Sequence, residues 1–149
     1  MALVTVNELL FKAEEEGYAV GAFNANNMEI VQAILEAAKR ENAPVIMQAS
    51  QGAIAYAGLD FITELVRLAA MASVALHLDH GTDFDQVVRC IRSGFTSVMY
   101  DGSKLPLEEN IAITRKVLEM TRPIGVSVEA ELGKIGGTED NVHVSEKDA

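Results

Sequence analysis

The residues of this sequence best suited to chemistry are Asp79, His80, Asp101, Glu129, Glu131 and Glu139. Each sits at or just beyond the end of a short apolar run, and carboxylates with an imidazole converging on one mouth suit a divalent metal with an acid/base beside it. The densest stretch is Val74 to Gly81, V-A-L-H-L-D-H-G, where an apolar run ends abruptly in an acid, an imidazole and a glycine. That pattern predicts a buried strand that delivers functional groups at its C-terminal end, where parallel α/β folds keep their active sites. Side chains alternate along a strand, so Val74, Leu76 and Leu78 lie on one side and Ala75, His77 and Asp79 on the other. Asp79 and His80 therefore start on opposite faces. Both can address one ligand only where the strand turns at its mouth, and Gly81 is the residue expected to permit that turn.

Taken singly, these residues have plainer uses. An isolated Asp after a strand, such as Asp101, commonly caps a helix. His77 reads as a hydrogen-bonded core residue rather than a ligand. Glu129 and Glu131 share a face two residues apart and could line a solvated edge, although a central barrel strand has none. His77 and His80 are about 10 Å apart at ~3.3 Å per residue and face opposite ways, so they cannot share one zinc at ~2.0 Å. His143 lies in an acidic, polar segment and reads as solvent-exposed. A three-ligand catalytic zinc built on His80 thus needs ligands from outside these 149 residues.

The elements that position these groups follow a repeating plan. Thr5 with Glu8 resembles a capping box for a short helix bearing Val6, Leu9, Leu10 and Ala13, which Gly17 ends. Tyr18 to Phe23 is expected to be a buried strand ending in Asn24, with Asn26 and Glu29 capping a helix to about Glu41. Pro44 to Gln48 is the second strand, Ala49-Ser50-Gln51-Gly52 its polar exit, and Phe61 to Ala72 a helix. After the Val74 strand, Thr82 with Asp85 caps a helix that buries Phe84, Val87, Val88 and Ile91, carries Cys90, and closes at Gly94. Ser97 to Tyr100 is a short strand ending at Asp101, and Pro106 sits near the start of a helix through Met120. Gly125 to Leu132 is the fifth strand, followed by a mobile loop over Gly133 to Glu139 and a polar loop from Asp140 to Ala149.

Strands alternating with helices at this spacing imply an α/β fold with a parallel sheet. No Gly-x-Gly-x-x-Gly loop follows the first strand, which favours a (β/α)8 barrel over a doubly wound sheet. A complete barrel takes ~250 residues and eight strands. Residues 1–149 are therefore read as a single domain carrying roughly the first five strands of such a barrel.

Composition narrows the function classes. The net charge is -10, with twelve basic residues scattered among twenty-two acidic ones, which argues against nucleic acid as a partner. An anionic small substrate remains compatible if a metal or helix N-termini supply local positive potential. Cys90 is the one cysteine, so no disulfide framework exists within the chain and a reducing cytoplasm is the expected location. No signal peptide is expected, and no run approaches the ~20 apolar residues of a membrane span.

Four segments carry a resemblance. H-L-D-H-G at His77 to Gly81, V-E-A-E-L-G-K-I-G-G-T-E at Val128 to Glu139, G-A-F-N at Gly21 to Asn24 and the strand exit at Ser50 resemble the signatures of class II, metal-dependent ketose-bisphosphate aldolases, above all the fructose-1,6-bisphosphate aldolases. The resemblance covers essentially the whole chain, but only about the N-terminal half of the family's barrel. It implies that His80 is a catalytic zinc ligand and Asp79 the proton donor and acceptor at the substrate C4 oxygen. Asp101 and Glu131 would be ligands of a second, structural or alternate position for a divalent metal. Asn24 and Ser50 would contact the glyceraldehyde-phosphate end of a phosphorylated ketose, and Glu139 would be a loop acid/base. A place in glycolysis and gluconeogenesis and a homo-oligomeric assembly are expected.

Two departures accompany the resemblance. The family's two further zinc histidines and its dihydroxyacetone-phosphate loop come from later strands that this sequence lacks, and the connection Met71-Ala72-Ser73 is short. The isolated chain is accordingly expected to be inactive, an open half-barrel with unpaired strand edges. Two alternatives stand beside this reading. One is a tagatose-bisphosphate aldolase, and the other a non-catalytic half-barrel that self-associates or pairs with a complementary fragment. The rival lysine Schiff-base chemistry wants a desolvated lysine at a strand end, whereas Lys104 and Lys134 both read as exposed loop residues.

Overall fold

The structure, a computed structural model, describes residues 3–69, 73–133, 137–139 and 142–144. It opens with α1 (Val6–Glu16), and the capping box expected from Thr5 and Glu8 is formed in both directions. Gly17 ends the helix in the left-handed conformation, at φ 73, which a residue without a Cβ adopts at little cost. Five strands follow: β1 (Gly21–Asn24), β2 (Val45–Ser50), β3 (Val74–Gly81), β4 (Ser97–Tyr100) and β5 (Ser127–Ala130). They form one parallel sheet in sequential order, 1-2-3-4-5. Between them run α2 (Met28–Glu41), α3 (Gln51–Ala57), α4 (Leu59–Ala69), α5 (Phe84–Ser93) and α6 (Leu107–Thr121), the last followed by a 3-10 turn, Arg122–Ile124. A short antiparallel hairpin, β6 (Gly137–Glu139) with β7 (Val142–Val144), stands apart from the main sheet.

Period-two alternation sorts the sheet into two faces. Val74, Leu76 and Leu78 are fully buried on the helix side, with Met47, Ala49 and Val98 of the neighbouring strands and Val31, Ile62, Val66, Val87, Cys90 and Val117 of the helices. Burying each such aliphatic side chain stabilises the fold by about 1.5–3 kcal/mol, so β3 is the best-anchored strand. On the other face Ile46 and Ala75 pack with Val6 and Leu9 of α1. The backbone N–H of Asn7 donates to Ser127 Oγ at 3.0 Å. These contacts put α1 over the N-terminal half of that face and leave the strands' C-terminal ends to polar groups.

Several expectations are corrected. The first strand starts at Gly21 rather than Tyr18, and all four of its residues are exposed rather than buried, because β1 is an edge strand. Asn27, not Asn26, caps α2, accepting from the Ile30 N–H at 2.9 Å. Asp83, not Thr82, caps α5, accepting from the Asp85 N–H. The second strand runs on to Ser50, and Gln51 and Gly52 belong to α3 rather than to a loop, with Ser50 as its cap. The fifth strand is shorter than Gly125–Leu132, since Gly125 closes the 3-10 turn at φ 73. Glu139 and His143, both expected in loops, lie on the hairpin strands. Residues 70–72, 134–136, 140, 141 and 145–149 are outside the described set, so the end of the Phe61–Ala72 helix, Met71 and Ala72 of the short connection, Lys134 and most of the final polar segment lie outside it as well.

Candidate active site

The C-terminal ends of β3, β4 and β5 bring three of the proposed metal ligands together. One donor atom each from His80, Asp101 and Glu131 lie within 4.8 Å of one another. His80 Nδ1 is 3.2 Å from Asp101 Oδ2 and 3.5 Å from Glu131 Oε2. Donors around a tetrahedral zinc with bonds of ~2.0–2.1 Å sit roughly 3.3–3.4 Å apart, so the two separations from His80 are close to what such an ion demands. One imidazole and two carboxylates also form a donor set that suits zinc and other divalent metals. All three side chains are largely sheltered, at 25%, 9% and 15% exposure.

His80 reaches this position through its own backbone. Its φ is 46, in the left-handed region where His is among the few side chains seen with any frequency. The β3–β4 ladder breaks between Leu78 and Gly81 at the same point. The turn at the strand mouth is thus made by His80 and not by Gly81, whose role is spatial. A Cβ on Gly81 would lie 2.7 Å from the Met99 carbonyl oxygen and 2.7 Å from Leu78 Cδ2. Asp79 keeps its place on the inner face, with Oδ1 at 4.0 Å from His80 Nε2.

Asp101 is not a helix cap, since Pro106 precedes α6. Its Oδ1 accepts from the Ser103 N–H at 3.0 Å while Oδ2 faces His80. Partial burial pushes its carboxyl pKa up, but the Ser103 hydroxyl and N–H and the His80 imidazole outweigh that and hold it below the usual value. Glu131 is set by its main chain, whose carbonyl accepts from Asn110 Nδ2 of α6 at 2.8 Å. Glu129, on β5 two residues before Glu131, is not sheltered: its side chain is 57% exposed on an edge strand, with Oε2 at 3.4 Å from His77 Nε2. Burial and the nearby Asp79 raise its pKa, with His80 opposing.

His77 is the hydrogen-bonded core residue expected of it, 4% exposed, with Nδ1 at 2.8 Å from Ser97 Oγ. Burial, assisted by the charge of His80, lowers its pKa to about 4. It is therefore neutral at pH 7. Its Nδ1 is hydrogen-bonded to the Ser97 hydroxyl, and its Nε2 lies 3.4 Å from Glu129 Oε2.

Sequence reasoning misses two glutamines. Gln48 Nε2 donates to Asp79 Oδ2 at 2.8 Å and to Asn24 Oδ1 at 3.1 Å, joining two of the singled-out residues. Gln51 Nε2 donates to the His80 carbonyl oxygen at 3.1 Å and to Thr82 Oγ1 at 2.8 Å. The available signal was position, since both stand at the exit of β2 beside the β3 motif. Ser50 is partly buried beside Asp79 in the register and spends its hydroxyl as an acceptor for the Ala53 N–H. Glu139 stands on β6, with its side chain outside the described set, while Lys104 is exposed. No described helix is long and apolar enough to cross a membrane.

Comparisons with known proteins identify the family and the fold. The family model for fructose-bisphosphate aldolase class-II matches residues 4–149. A fructose-bisphosphate aldolase of Helicobacter pylori strain J99 is 51% identical over 151 residues, covering 99% of this chain and 49% of that protein. That of Thermus caldophilus is 51% identical over 149 residues, with the same two coverages. Among solved structures, the YdjI aldolase from Escherichia coli K12 superposes with TM-score 0.83 at 28% identity, over 88% of this chain and 52% of that one. The Campylobacter jejuni fructose-bisphosphate aldolase gives 0.78 at 28% identity, over 89% and 47%. The chain spans about half the length of the curated relatives it matches. Its five parallel strands correspond to part of a TIM barrel, and the chain belongs to the class II fructose-bisphosphate aldolase family.

Proposed function

We propose that this chain supplies the metal-holding and proton-transferring half of an aldolase that cleaves fructose 1,6-bisphosphate to dihydroxyacetone phosphate and glyceraldehyde 3-phosphate, and joins them in reverse, in cytoplasmic glycolysis and gluconeogenesis. The observation that carries this reading is the gathering of His80, Asp101 and Glu131 at the ends of three adjacent strands with Asp79 alongside. His80 would hold the catalytic zinc, with Asp101 and Glu131 offering a second or alternate position. Zinc, when bound, supplies Lewis-acid polarisation of the ketose carbonyl.

The chain's own groups do the rest. Asp79 takes the proton of the C4 hydroxyl as the C3–C4 bond breaks, and returns it in the condensation direction. Gln48 fixes one oxygen of that carboxylate and orients Asn24, which with Ser50 contacts the phosphorylated aldehyde end. Glu139 acts as the second acid/base, at the three-carbon ketone product. Two more imidazoles are needed for a three-histidine zinc, and among the described side chains the only other imidazole is His77, which hydrogen bonds and burial commit to the core.

The deciding experiment joins residues 1–149 to the remaining half of the Helicobacter pylori relative and follows cleavage with zinc, with a chelator, and with Asp79→Asn. We expect turnover that the chelator abolishes and that Asp79→Asn lowers by about 10²–10⁴-fold, and no measurable turnover from the 149-residue chain alone. Substantial cleavage by that chain alone, or an unaffected Asp79→Asn, would falsify the assignment. Running tagatose 1,6-bisphosphate beside fructose 1,6-bisphosphate decides the epimer, and sizing the joined protein tests the expected homo-oligomer.

A further inference from the structure

Asp79 and His80 are consecutive on β3, yet the proposed chemistry needs their side chains in one place. Left-handed backbone at His80 achieves this, and such backbone persists in a non-glycine residue only where the surroundings hold it. The sheet pairs the neighbours of His80, Asp79 with Ser50 and Gly81 with Tyr100, while the register with β4 shifts between Leu78 and Gly81, so His80 stands at a bulge where a side-chain contact can set its backbone. We propose that Gln51 is the positioning residue for His80. Its amide donates to the His80 carbonyl oxygen at 3.1 Å and to Thr82 Oγ1 at 2.8 Å, gripping the chain on both sides of Gly81. The inference rests on the reading of His80 as a metal ligand.

The grip is mounted on firm structure. Gln51 is the first residue of α3, a helix capped by Ser50 through Ala53 and packed on the core by Ile54. The pairing of Ser50 with Asp79 sets the start of α3 level with His80. Two donations from one nitrogen fix the plane of the amide, and the carbonyl it holds fixes the peptide that follows His80. Without the grip, His80 relaxes toward extended backbone, and period-two alternation then carries its imidazole to the face opposite Asp79, away from Asp101 and Glu131.

The test is divalent-metal affinity of the 149-residue chain, read for zinc(II) by competition with a chromophoric chelator and for cobalt(II) by its visible absorption bands. The wild-type chain should bind, and His80→Ala should lose binding. Gln51→Met keeps the length and removes both donors. It should weaken zinc binding roughly tenfold or more, as loss of groups that orient a ligand does, and alter the cobalt bands. Wild-type affinity and bands in folded Gln51→Met, with His80→Ala defective, overturn the positioning role while leaving His80 a ligand. Equal binding by wild type and His80→Ala overturns the ligand reading and this inference with it. If Gln51→Met fails to fold, Thr82→Val removes one anchor outside the helix. A smaller loss of affinity there supports the proposal, and unchanged affinity overturns it.

Discussion

His77 shows how a single buried side chain sets a pH dependence. Burial, with the charge of His80 adding, holds its pKa near 4 against an ordinary 6.5. Below pH 6.5 the unfolded chain takes up a proton that the folded chain refuses until about pH 4. The unfolded state therefore binds more protons in that window, and the contribution to stability is complete above pH 6.5 and lost as the pH falls through 4. The full shift corresponds to roughly 3 kcal/mol. Denaturant titrations at several pH values should show this loss, and His77→Gln should flatten the curve between pH 6.5 and 4. At this scale the candidates were legible but not their sorting: residue type and strand-end position named His80, Asp101 and Glu131 together with Asp79, Glu129 and Glu139, and only the resemblance singled out those three as metal ligands. What was hidden was orientation. The φ of 46 at His80 follows from where Gln51 and the broken ladder lie, and both are tertiary facts that local pattern does not carry.

Elements were legible where the code is local and shifted where several residues compete for one role. The third and fourth strands, Val74–Gly81 and Ser97–Tyr100, came out with their observed limits, because an apolar run closed by polar residues is unambiguous. The caps moved by one residue: Asn26 and Asn27 are equally able acceptors that only backbone geometry chooses between, and Asp83 is a stronger cap than the Thr82 beside it. α3 was missed because Ser-Gln-Gly reads as a turn. Two element-scale predictions follow from close contacts. Asn110, 6% exposed on α6, holds the Glu131 carbonyl, and Gly102 leaves room for it, since a Cβ there would collide with the Asn110 amide. Asn110→Ala should cost about 1–3 kcal/mol in chemical denaturation by stranding that carbonyl. Gly81→Ala, whose Cβ would press on the Met99 carbonyl, should cost about 1–3 kcal/mol and disturb the β3–β4 amide resonances first. A Gly81→Ala chain as stable as wild type would show that β4 yields readily at this point.

For the molecule as a whole, the alternation of strands and helices fixed the class of fold, but the exposure of its edges was misjudged. Tyr18 to Phe23 is apolar enough to be read as buried, yet in this sheet β1 is an edge, with Phe23 49% exposed. The sequence encodes burial that the described residues do not provide. Opposing this, the chain carries a net charge of -10, and like charge on two copies resists close approach over a Debye length of ~30 Å at 0.01 M salt. Raising the salt to 1 M shortens that length to ~3 Å and leaves the apolar surface and the unpaired backbone of the edges to decide whether copies adhere. Sedimentation velocity should therefore find the 149-residue chain near its monomer mass of 16.1 kDa at low salt and low concentration. Its average mass should grow as either is raised. Phe23→Lys places a charge on the exposed edge strand and should suppress that growth, while leaving the core that anchors β3 intact. Association that instead weakens with salt would mean that charge pairing, and not exposed strand edges, governs how copies meet.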